Sequence, residues 1–403
     1  MSNKQVACII VNYHSPYEML GKCLESLAAS VKVDCNVILV DNNSGDGVTE
    51  LIKEDFADVN VIELKENAGF AAGVNRGLKI VREPYVLLLN TDAILTDTAI
   101  SLMVDALEEA GDTCAGIAPK MMSSIHEGVI DAIGTIMPPD GASFNRGIGQ
   151  CDLGQYDQIE EVFGTCFGAT LLRAELLKTG RVGPLHEDYF LYFEDSDWCM
   201  RARSQGYRFL TVPDAVVYHL HSGIMRHETL SFKYRLIELN TLKIVVRTFE
   251  SPLMATKIVA SRCTRLLART FIRRKFIREN LAVMISFFKA LPGLIRNRHQ
   301  LKQRRVVPDS GILSFAAGED AYFDTVGYLP QHHLDSLIAS YQLLLSKEKE
   351  KDSETKKILA ALYRLKVESS TGANISMDKE TFEILAGNSE CVRNFIQQYV
   401  AMN

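Results

Sequence analysis

The sequence predicts an α/β protein: an open, mainly parallel sheet in the first half, followed by a mainly α-helical C-terminal region. Three observations predict it. Four apolar runs, at residues 6–11, 36–40, 59–64 and 85–89, alternate with stretches of helical spacing, the pattern of right-handed β-α-β crossovers. The run Tyr85-Val86-Leu87-Leu88-Leu89 carries no charge and reads as a strand buried on both faces. The runs end in polar clusters, which therefore collect on the carboxyl rim of the sheet, where open α/β sheets bind ligands.

The first run leads into the loop Asn12-Tyr13-His14-Ser15-Pro16, after which Leu20, Leu24 and Leu27 share a helical face. The second ends in Asp41-Asn42-Asn43-Ser44-Gly45, ahead of a helix near 48–56. The third closes on Asn67-Ala68-Gly69-Phe70-Ala71-Ala72-Gly73, which lacks the GxGxxG spacing of a dinucleotide fingerprint. Two readings of this stretch stand. It is a small-residue turn that brings backbone N–H groups to a phosphate or sugar, or a turn cap whose alanines pack the helix at 74–81 onto the sheet. The fourth run ends in Asn90, Thr91 and Asp92, and an acid there can hold a hard cation and, through it, a diphosphate. The plainer alternative is an acid that caps the next turn.

A helix at 97–111 and a strand at 114–120 follow, then a long loop or loose hairpin over 121–154, rich in Gly, Pro and Ser. Residues 162–172 read as one strand, with Gly164 and Gly168 marking close backbone approach. The aromatic run at 189–193 delivers Glu194, Asp195 and Asp197 to the start of a helix that ends at Gly206. Acids at a helix N-terminus are common, because they complement its dipole. Here the apolar lead-in fixes them, and the dipole is expected to keep a carboxylate ionised, which suits a general base. Two short strands, 207–212 and 215–218, lead to His219 and His221. A histidine leaving a strand, in a chain with acids at parallel positions, is a metal-ligand candidate.

A chain of 403 residues suggests two or three domains. Its nine scattered cysteines form no CxxC pair, which fits buried thiols in a reducing cytosol better than a disulfide frame or a zinc site. Residues 1–5 lead straight into a strand, so no signal peptide is expected, and no apolar stretch is long enough to span a bilayer. The net charge of -6 conceals an asymmetry: residues 257–305 hold 14 Lys or Arg against the single acid Glu279, a segment of +13 on a remainder of about -19. A helix at 231–249 shows an apolar stripe of Leu236, Leu239, Leu242 and Val246. Beyond it Arg262, Arg265, Arg269 and Arg273 fall on one helical face, with Cys263, Leu267 and Phe271 on another, and 281–295 is apolar apart from Ser286 and Lys289. An anionic membrane surface is the first partner this pattern suggests, ahead of a charged face packed within a helical domain; nucleic acid is not expected. Residues 309–403 carry helical patterns at 335–345, 354–366 and 379–400, which fit oligomerisation (a homo-oligomer), acceptor recognition or regulation.

Six short motifs then fall in order: Ile10-Val11-Asn12-Tyr13, Val40-Asp41-Asn42-Asn43-Ser44, Asn67-Ala68-Gly69-Phe70, Leu89-Asn90-Thr91-Asp92, Phe193-Glu194-Asp195-Ser196-Asp197 and Val217-Tyr218-His219. Together they resemble glycosyltransferase family 2, nearest its bacterial rhamnosyltransferase and galactofuranosyltransferase branches, over roughly residues 6–223. The resemblance implies a GT-A fold, a nucleoside-diphosphate sugar donor (dTDP- or UDP-linked), Mg2+ or Mn2+, and inversion at the anomeric carbon. By the same resemblance Asn12 and Tyr13 line the donor base and ribose, and Asp41 accepts a hydrogen bond from one of them. Asn67, Gly69 and Asn75 line the base and diphosphate. Asn90, Thr91 and Asp92 stand where the family carries its DXD motif, with Asp92 and His219 as metal ligands. Asp195 matches the catalytic base, with Glu194 or Asp197 orienting the acceptor or holding basic residues such as Arg201. Asn90 departs from the acid usual at the first DXD position, so modest metal affinity is expected, the metal arriving with the donor.

The chain is thus expected to comprise a GT-A domain over 1–228, a basic helical region over 229–306 and a helical module over 307–403. The expected enzyme is cytoplasmic, peripheral on the inner face of the plasma membrane, and extends a bacterial surface glycan or lipid-linked acceptor. The alternative is a catalytically silent GT-A scaffold, against which the joint presence of Asp92, Asp195 and His219 argues. A nicotinamide-dependent oxidoreductase fails on the missing GxGxxG.

Overall fold

A computed structural model describes residues 4–125, 127–220, 230–272 and 276–316, together with 357, 358, 361 and 362. The expected strand–helix alternation opens it: β1 (Lys4–Asn12), α1 (Tyr17–Ala28), β2 (Val33–Asp41), α2 (Val48–Asp55), β3 (Asn60–Glu63), α3 (Phe70–Leu78) and β4 (Tyr85–Leu89). β1 pairs in parallel with β2 on one side and β4 on the other, and β3 adds in parallel to β2. The spatial order β3-β2-β1-β4 reverses direction between β1 and β4, which makes the carboxyl ends of these two strands a topological switch point.

The chain continues with β5 (Ala93–Leu95), α4 (Ala99–Glu109), β6 (Cys114–Ser123) and the small strands β7 (Ile130–Ala132), β8 (Thr135–Ile136), β9 (Phe144–Asn145) and β10 (Glu161–Val162). Then come β11 (Ala169–Arg173), α5 (Ala174–Lys178), α6 (Glu194–Ser204) and β12 (Arg208–His219). β11 inserts antiparallel between β4 and β6, and β12 lies parallel to β6 beyond it. The result is a mixed, mostly parallel sheet. Both faces are covered, which is why the central strands read as unbroken apolar runs. Cys8, Ile10, Leu87 and Leu89 pack on one side with Leu20 and Leu24 of α1 and Met103 and Val104 of α4. Ala7, Ile9, Val86 and Leu88 pack on the other with Val74 of α3 and Trp198 of α6.

Two strands differ from expectation. Residues 162–172 are not one strand: β10 and β11 are separated by a loop at 163–168, because Phe163 and Phe167 turn into the core alongside Trp198. Gly164 allows this, since a Cβ there would meet Cys199 Sγ at 2.6 Å. Conversely the two short strands at 207–218 are one, β12, whose pairing with β6 slips between Val212 and Val216 around Pro213, an irregularity that keeps a proline within a sheet. The loose 121–154 segment folds into β7, β8 and β9. α3 begins at Phe70, earlier than 74, and Ala71 and Ala72 are buried on the sheet as the packing reading required.

The second half is helical: α7 (Leu230–Thr248), α8 (Pro252–Ile272), α9 (Ile277–Arg304) and α10 (Asp309–Leu313). α9 runs through Pro292. Ile244, Val245 and Phe249 join the core on the α6 side of the sheet, and Ile312 of α10 returns to it, so the helices are packed onto the α/β layer. Leu242, Val246, Leu266, Val283, Phe287 and Leu294 form a smaller core among α7, α8 and α9. The arginine face expected on α8 is partly spent inside the molecule. Arg262 is buried and pairs with Asp140 at 2.9 Å and Glu238 at 3.6 Å, and Arg269 also meets Glu238. Arg273 and His221 lie outside the described residues, as do the helical patterns at 335–345 and 379–400 and nearly all of 354–366.

Candidate active site

The switch-point rim is built by side chains that tie neighbouring strands together. Asn12, at the end of β1, is fully buried; its Nδ2 donates to Asp41 Oδ1 at 2.8 Å and to Ser44 Oγ at 3.3 Å. Asp41 Oδ2 accepts from the Ser44 backbone N–H at 3.0 Å, so this acid organises the β2–α2 turn from within. Asn42 reaches on to the next turn, where its Oδ1 accepts from the Ala68 N–H at 2.9 Å. Asn67 Oδ1 in turn accepts from the Gly69 N–H at 3.1 Å. Across the switch, the buried Thr91 hydroxyl meets Ser15 Oγ at 2.8 Å. Tyr13 is partly exposed at this edge, its ring edge-on to His14.

Two donor-site candidates tie α3 to the loop that leads to the acidic cluster. The Asn75 amide is committed to the backbone of Leu185: Nδ2 donates to its carbonyl at 2.9 Å and Oδ1 accepts from its N–H at 3.1 Å. Gly69 has φ +86°, and a Cβ there would collide with the carbonyl oxygen and Cα of Phe190. The Phe70 N–H donates to that same carbonyl at 2.7 Å. The turn before α3 is therefore locked against the loop that carries the acidic cluster. Replacing Gly69 by Ala is expected to destabilise the protein by about 1–3 kcal/mol, the cost of forcing a left-handed non-glycine residue into a backbone clash. Thermal unfolding checks this, and an unchanged Tm would show that the loop yields.

The metal candidates meet at the far end of the rim. Leu89 and Ala169 pair across β4 and β11, and β5 lies beside β12, pairing Ala93 with His219. This places the buried His219 beside the buried Asp92, with Nε2 to Oδ1 at 3.2 Å, and Nε2 also 3.2 Å from Asn90 Nδ2. On its other side His219 Nδ1 meets the fully buried Asp131 at 2.8 Å. Against the cost of burial, hydrogen bonds that the ring donates to Asp131 and Asp92 raise the imidazole to about 10. Asp131 was missed in the sequence; its one signal is an acid between Ile130 and Ala132 in an apolar stretch of a glycine-rich loop.

This donor set fits a divalent cation that brings its own ligands. Among the described residues no three or more His, Cys, Asp or Glu converge on a single metal site. One carboxylate and one imidazole remain, with the second carboxylate on the far ring nitrogen, where it would fix the tautomer of a metal-bound histidine. Mg2+ and comparable ions are commonly held by one or two carboxylates plus substrate phosphates and water.

The acidic cluster is held by a strained loop. Phe190, Tyr192 and Phe193 all have positive φ, of 63°, 68° and 72°. Three such bulky residues together must be over-determined by their surroundings, and strain of this kind gathers at functional sites. The clamp comes from α7: the Asn240 amide donates to the carbonyls of Tyr189, Leu191 and Tyr192, at 2.9–3.1 Å. Arg247 holds Asp188 with both carboxylate oxygens, at 2.7 and 2.9 Å, and Lys243 bonds the Asp188 carbonyl. These polar residues interrupt the apolar stripe of the α7 sequence, and that interruption was their only signal.

The three acids divide. Asp197 is fully buried and ionised: Arg201 Nε lies 2.8 Å from Oδ2, Arg247 Nη1 3.5 Å from Oδ1, and the Tyr189 hydroxyl donates to Oδ1 at 3.0 Å. Although burial opposes ionisation, Arg201, His186 and Arg247 together lower it to about 2. Glu194 is buried, its Oε2 finds no hydrogen-bond partner among the described residues, and burial together with Asp195 pushes its carboxyl well up. Asp195 is part-exposed. Burial raises its pKa, opposed by bonds from the Ser196 backbone and hydroxyl and the Phe167 backbone. Burial thus raises Glu194 and Asp195 against the effect of the helix N-terminus, Glu194 the further of the two. Asp197 stays charged through its arginines.

One loop joins the two centres. At 163–168 the chain leaves the sheet, and its end lies between them: the Asn90 N–H donates to the Gly168 carbonyl at 2.9 Å, while the Phe167 backbone helps hold the Asp195 carboxyl down. Cys166 between them feels the charges of both Asp195 and Asp131, which, after burial, raise its thiol. A general-base candidate and a cation-site candidate thus lie on either side of one loop at the carboxyl rim of a mostly parallel sheet.

That fold and rim are those of a GT-A domain. Residues 7–179 match the family model described as glycosyl transferase family 2. A teichoic acid poly(glycerol phosphate) polymerase of Staphylococcus epidermidis is 35% identical over 115 residues, 28% of this chain and 16% of that protein. An N-acetylglucosaminyl-diphospho-decaprenol L-rhamnosyltransferase of Mycobacterium tuberculosis is 25% identical over 237 residues, 52% of this chain and 75% of the relative. The chain therefore spans only a small part of the first relative and three quarters of the second. Among solved structures, S. aureus TarS 1-349 in complex with UDP-GlcNAc aligns with a TM-score of 0.48 and 14% identity, covering 93% of this chain and 94% of that one.

Proposed function

We propose that the chain is an inverting, metal-dependent glycosyltransferase that moves a sugar from a nucleoside-diphosphate donor to a hydroxyl of a surface glycan or lipid-linked acceptor. The observation that supports it most is the buried Asp92–His219 pair, Oδ1 to Nε2 at 3.2 Å, beside Asn90, whose backbone N–H is held by Gly168 at the end of the loop at 163–168. The acceptor hydroxyl gives its proton to the Asp195 carboxylate as its oxygen bonds to the anomeric carbon. The bond from that carbon to the diphosphate breaks on the opposite face, and the electron pair leaves on phosphate oxygen. A carboxylate raised above its usual range accepts that proton more readily than an ordinary one. Asp92 and His219 would hold a divalent cation, which would supply Lewis-acid stabilisation of charge on the leaving diphosphate. Asn12, Tyr13, Asp41, Asn67 and Thr91 shape the base and ribose side, and Gly69 and Asn75 fix the wall that carries Asp195. The rhamnosyltransferase-like branch, whose Mycobacterium tuberculosis relative is named for a lipid-linked acceptor, favours such an acceptor at a membrane.

The test is calorimetric binding of a panel of dTDP- and UDP-sugars with and without Mn2+. One donor is expected to bind only with metal, and Asp92→Asn to weaken it by at least about tenfold, a carboxylate ligand being worth more than 1.4 kcal/mol. Binding of no nucleotide sugar would turn the reading to a silent scaffold.

A further inference from the structure

The outer face of the α8–α9 pair is open and apolar. Val283, Phe287 and Leu294 of α9 face inward, whereas Leu281, Ile285, Phe288 and Ile295 are 48–56% exposed, and Leu267 of α8 is 43% exposed. Their spacing of four, three and seven residues puts the α9 side chains on one stripe. With Met284 and Lys289, Leu267, Leu281, Ile285 and Phe288 line one groove between the two helices. Lys257, Arg265, Arg278, Lys289, Arg296 and Lys302 are exposed on the same helices, and Glu279 is the only acid between 252 and 305.

We propose that this face docks the protein on the surface of an anionic bilayer. The large aliphatic and aromatic side chains enter the acyl boundary, and the long Lys and Arg side chains reach lipid phosphates, the arrangement of helices that lie in an interface. Two facts choose this occupant. A second copy of the chain would set one basic rim against another, which like charges oppose. Among the described residues no helix is long and apolar enough to cross a membrane, so the pair would lie on the surface. The surface differs from the arginine face the sequence suggested, since Arg262 and Arg269 are engaged with Asp140 and Glu238. The inference goes beyond the transfer reaction, and its test reads vesicle binding without turnover, so the two fail separately.

The experiment floats the full chain with vesicles of phosphatidylglycerol and phosphatidylcholine, against phosphatidylcholine alone. The wild type is expected to float with the anionic vesicles only, and less at 0.5 M salt than at 0.1 M, salt concentrations at which screening grows strongly. The double variant Ile285→Glu/Phe288→Glu is expected to reduce the bound fraction by at least about tenfold, with unchanged Tm and sedimentation coefficient. Lys289→Glu/Arg296→Glu, which alters only exposed charge, is expected to do the same. Failure of the wild type to float overturns the proposal, including the case in which another part of the chain covers the groove. So does a charge variant that floats like the wild type, or a loss of dimers in the double variant, which would make the groove an interface between copies.

Discussion

Asp195→Asn is expected to lower sugar transfer by about 10²–10⁴-fold while donor binding and Tm stay near wild type. The substitution keeps the shape of the side chain and its acceptor oxygen for Ser196, so the helix start is preserved. What it removes is the capacity to take a proton. Asp195 is the only one of the three clustered acids that is both part-exposed and not held by a buried cation. Single-turnover transfer measured beside donor binding separates chemistry from affinity. If Glu194→Gln abolishes transfer and Asp195→Asn does not, the assignment moves one residue. That outcome would make the raised Glu194 the base and Asp195 its positioning neighbour.

Asp197→Asn is expected to act on stability, by about 3–5 kcal/mol, because it leaves Arg201 and Arg247 buried without their shared counter-charge. Thermal unfolding should then shift by roughly 10 °C, a fall that Asp195→Asn should not show. A wild-type Tm with lost activity would instead place Asp197 in the chemistry. The same group gives a pH signature. Its folded pKa, lowered to about 2, lies below the unfolded carboxylate value of about 3.9. Its contribution is therefore fully present above about pH 4 and is lost as pH falls through about 2. At about 1.4 kcal/mol per pKa unit this amounts to roughly 2–3 kcal/mol. Acid unfolding of wild type and Asp197→Asn should converge in that window, the variant having nothing left to lose there.

Much of the catalytic half was legible because its signals are local. The β4 run from Tyr85 to Leu89 is apolar at every position because both faces of the strand are covered, and a period needs no tertiary information to be seen. The ends of β1, β2 and β4 carried Asn12, Asp41 and Asp92, and strand direction alone sends them to one rim. The start of α6 was marked by its acids. Element edges slipped where local pattern and packing disagree: a glycine-bearing apolar run at 162–172 reads as strand, but Phe163 and Phe167 have a better place against Trp198.

Roles were another matter. Nothing in Glu194-Asp195-Ser196-Asp197 says which acid meets Arg247, fifty residues on, or that Asp131 lies behind His219, eighty-eight residues on. Asn75 reads as a donor-site amide, and only the structure shows that the Leu185 backbone holds both its ends. On α8, Arg262 and Arg269 read as part of a membrane-facing arginine stripe, but Asp140 and Glu238 engage them inside the molecule. The sequence by itself determined the strand order of charge and apolarity, hence the sheet and its functional rim, because these depend on periodicity along the chain. Tertiary structure alone decided which acid is paired, which is desolvated and which hydrophobic face stays open. Each of those depends on the partners and water that long-range contacts bring to a side chain or exclude from it.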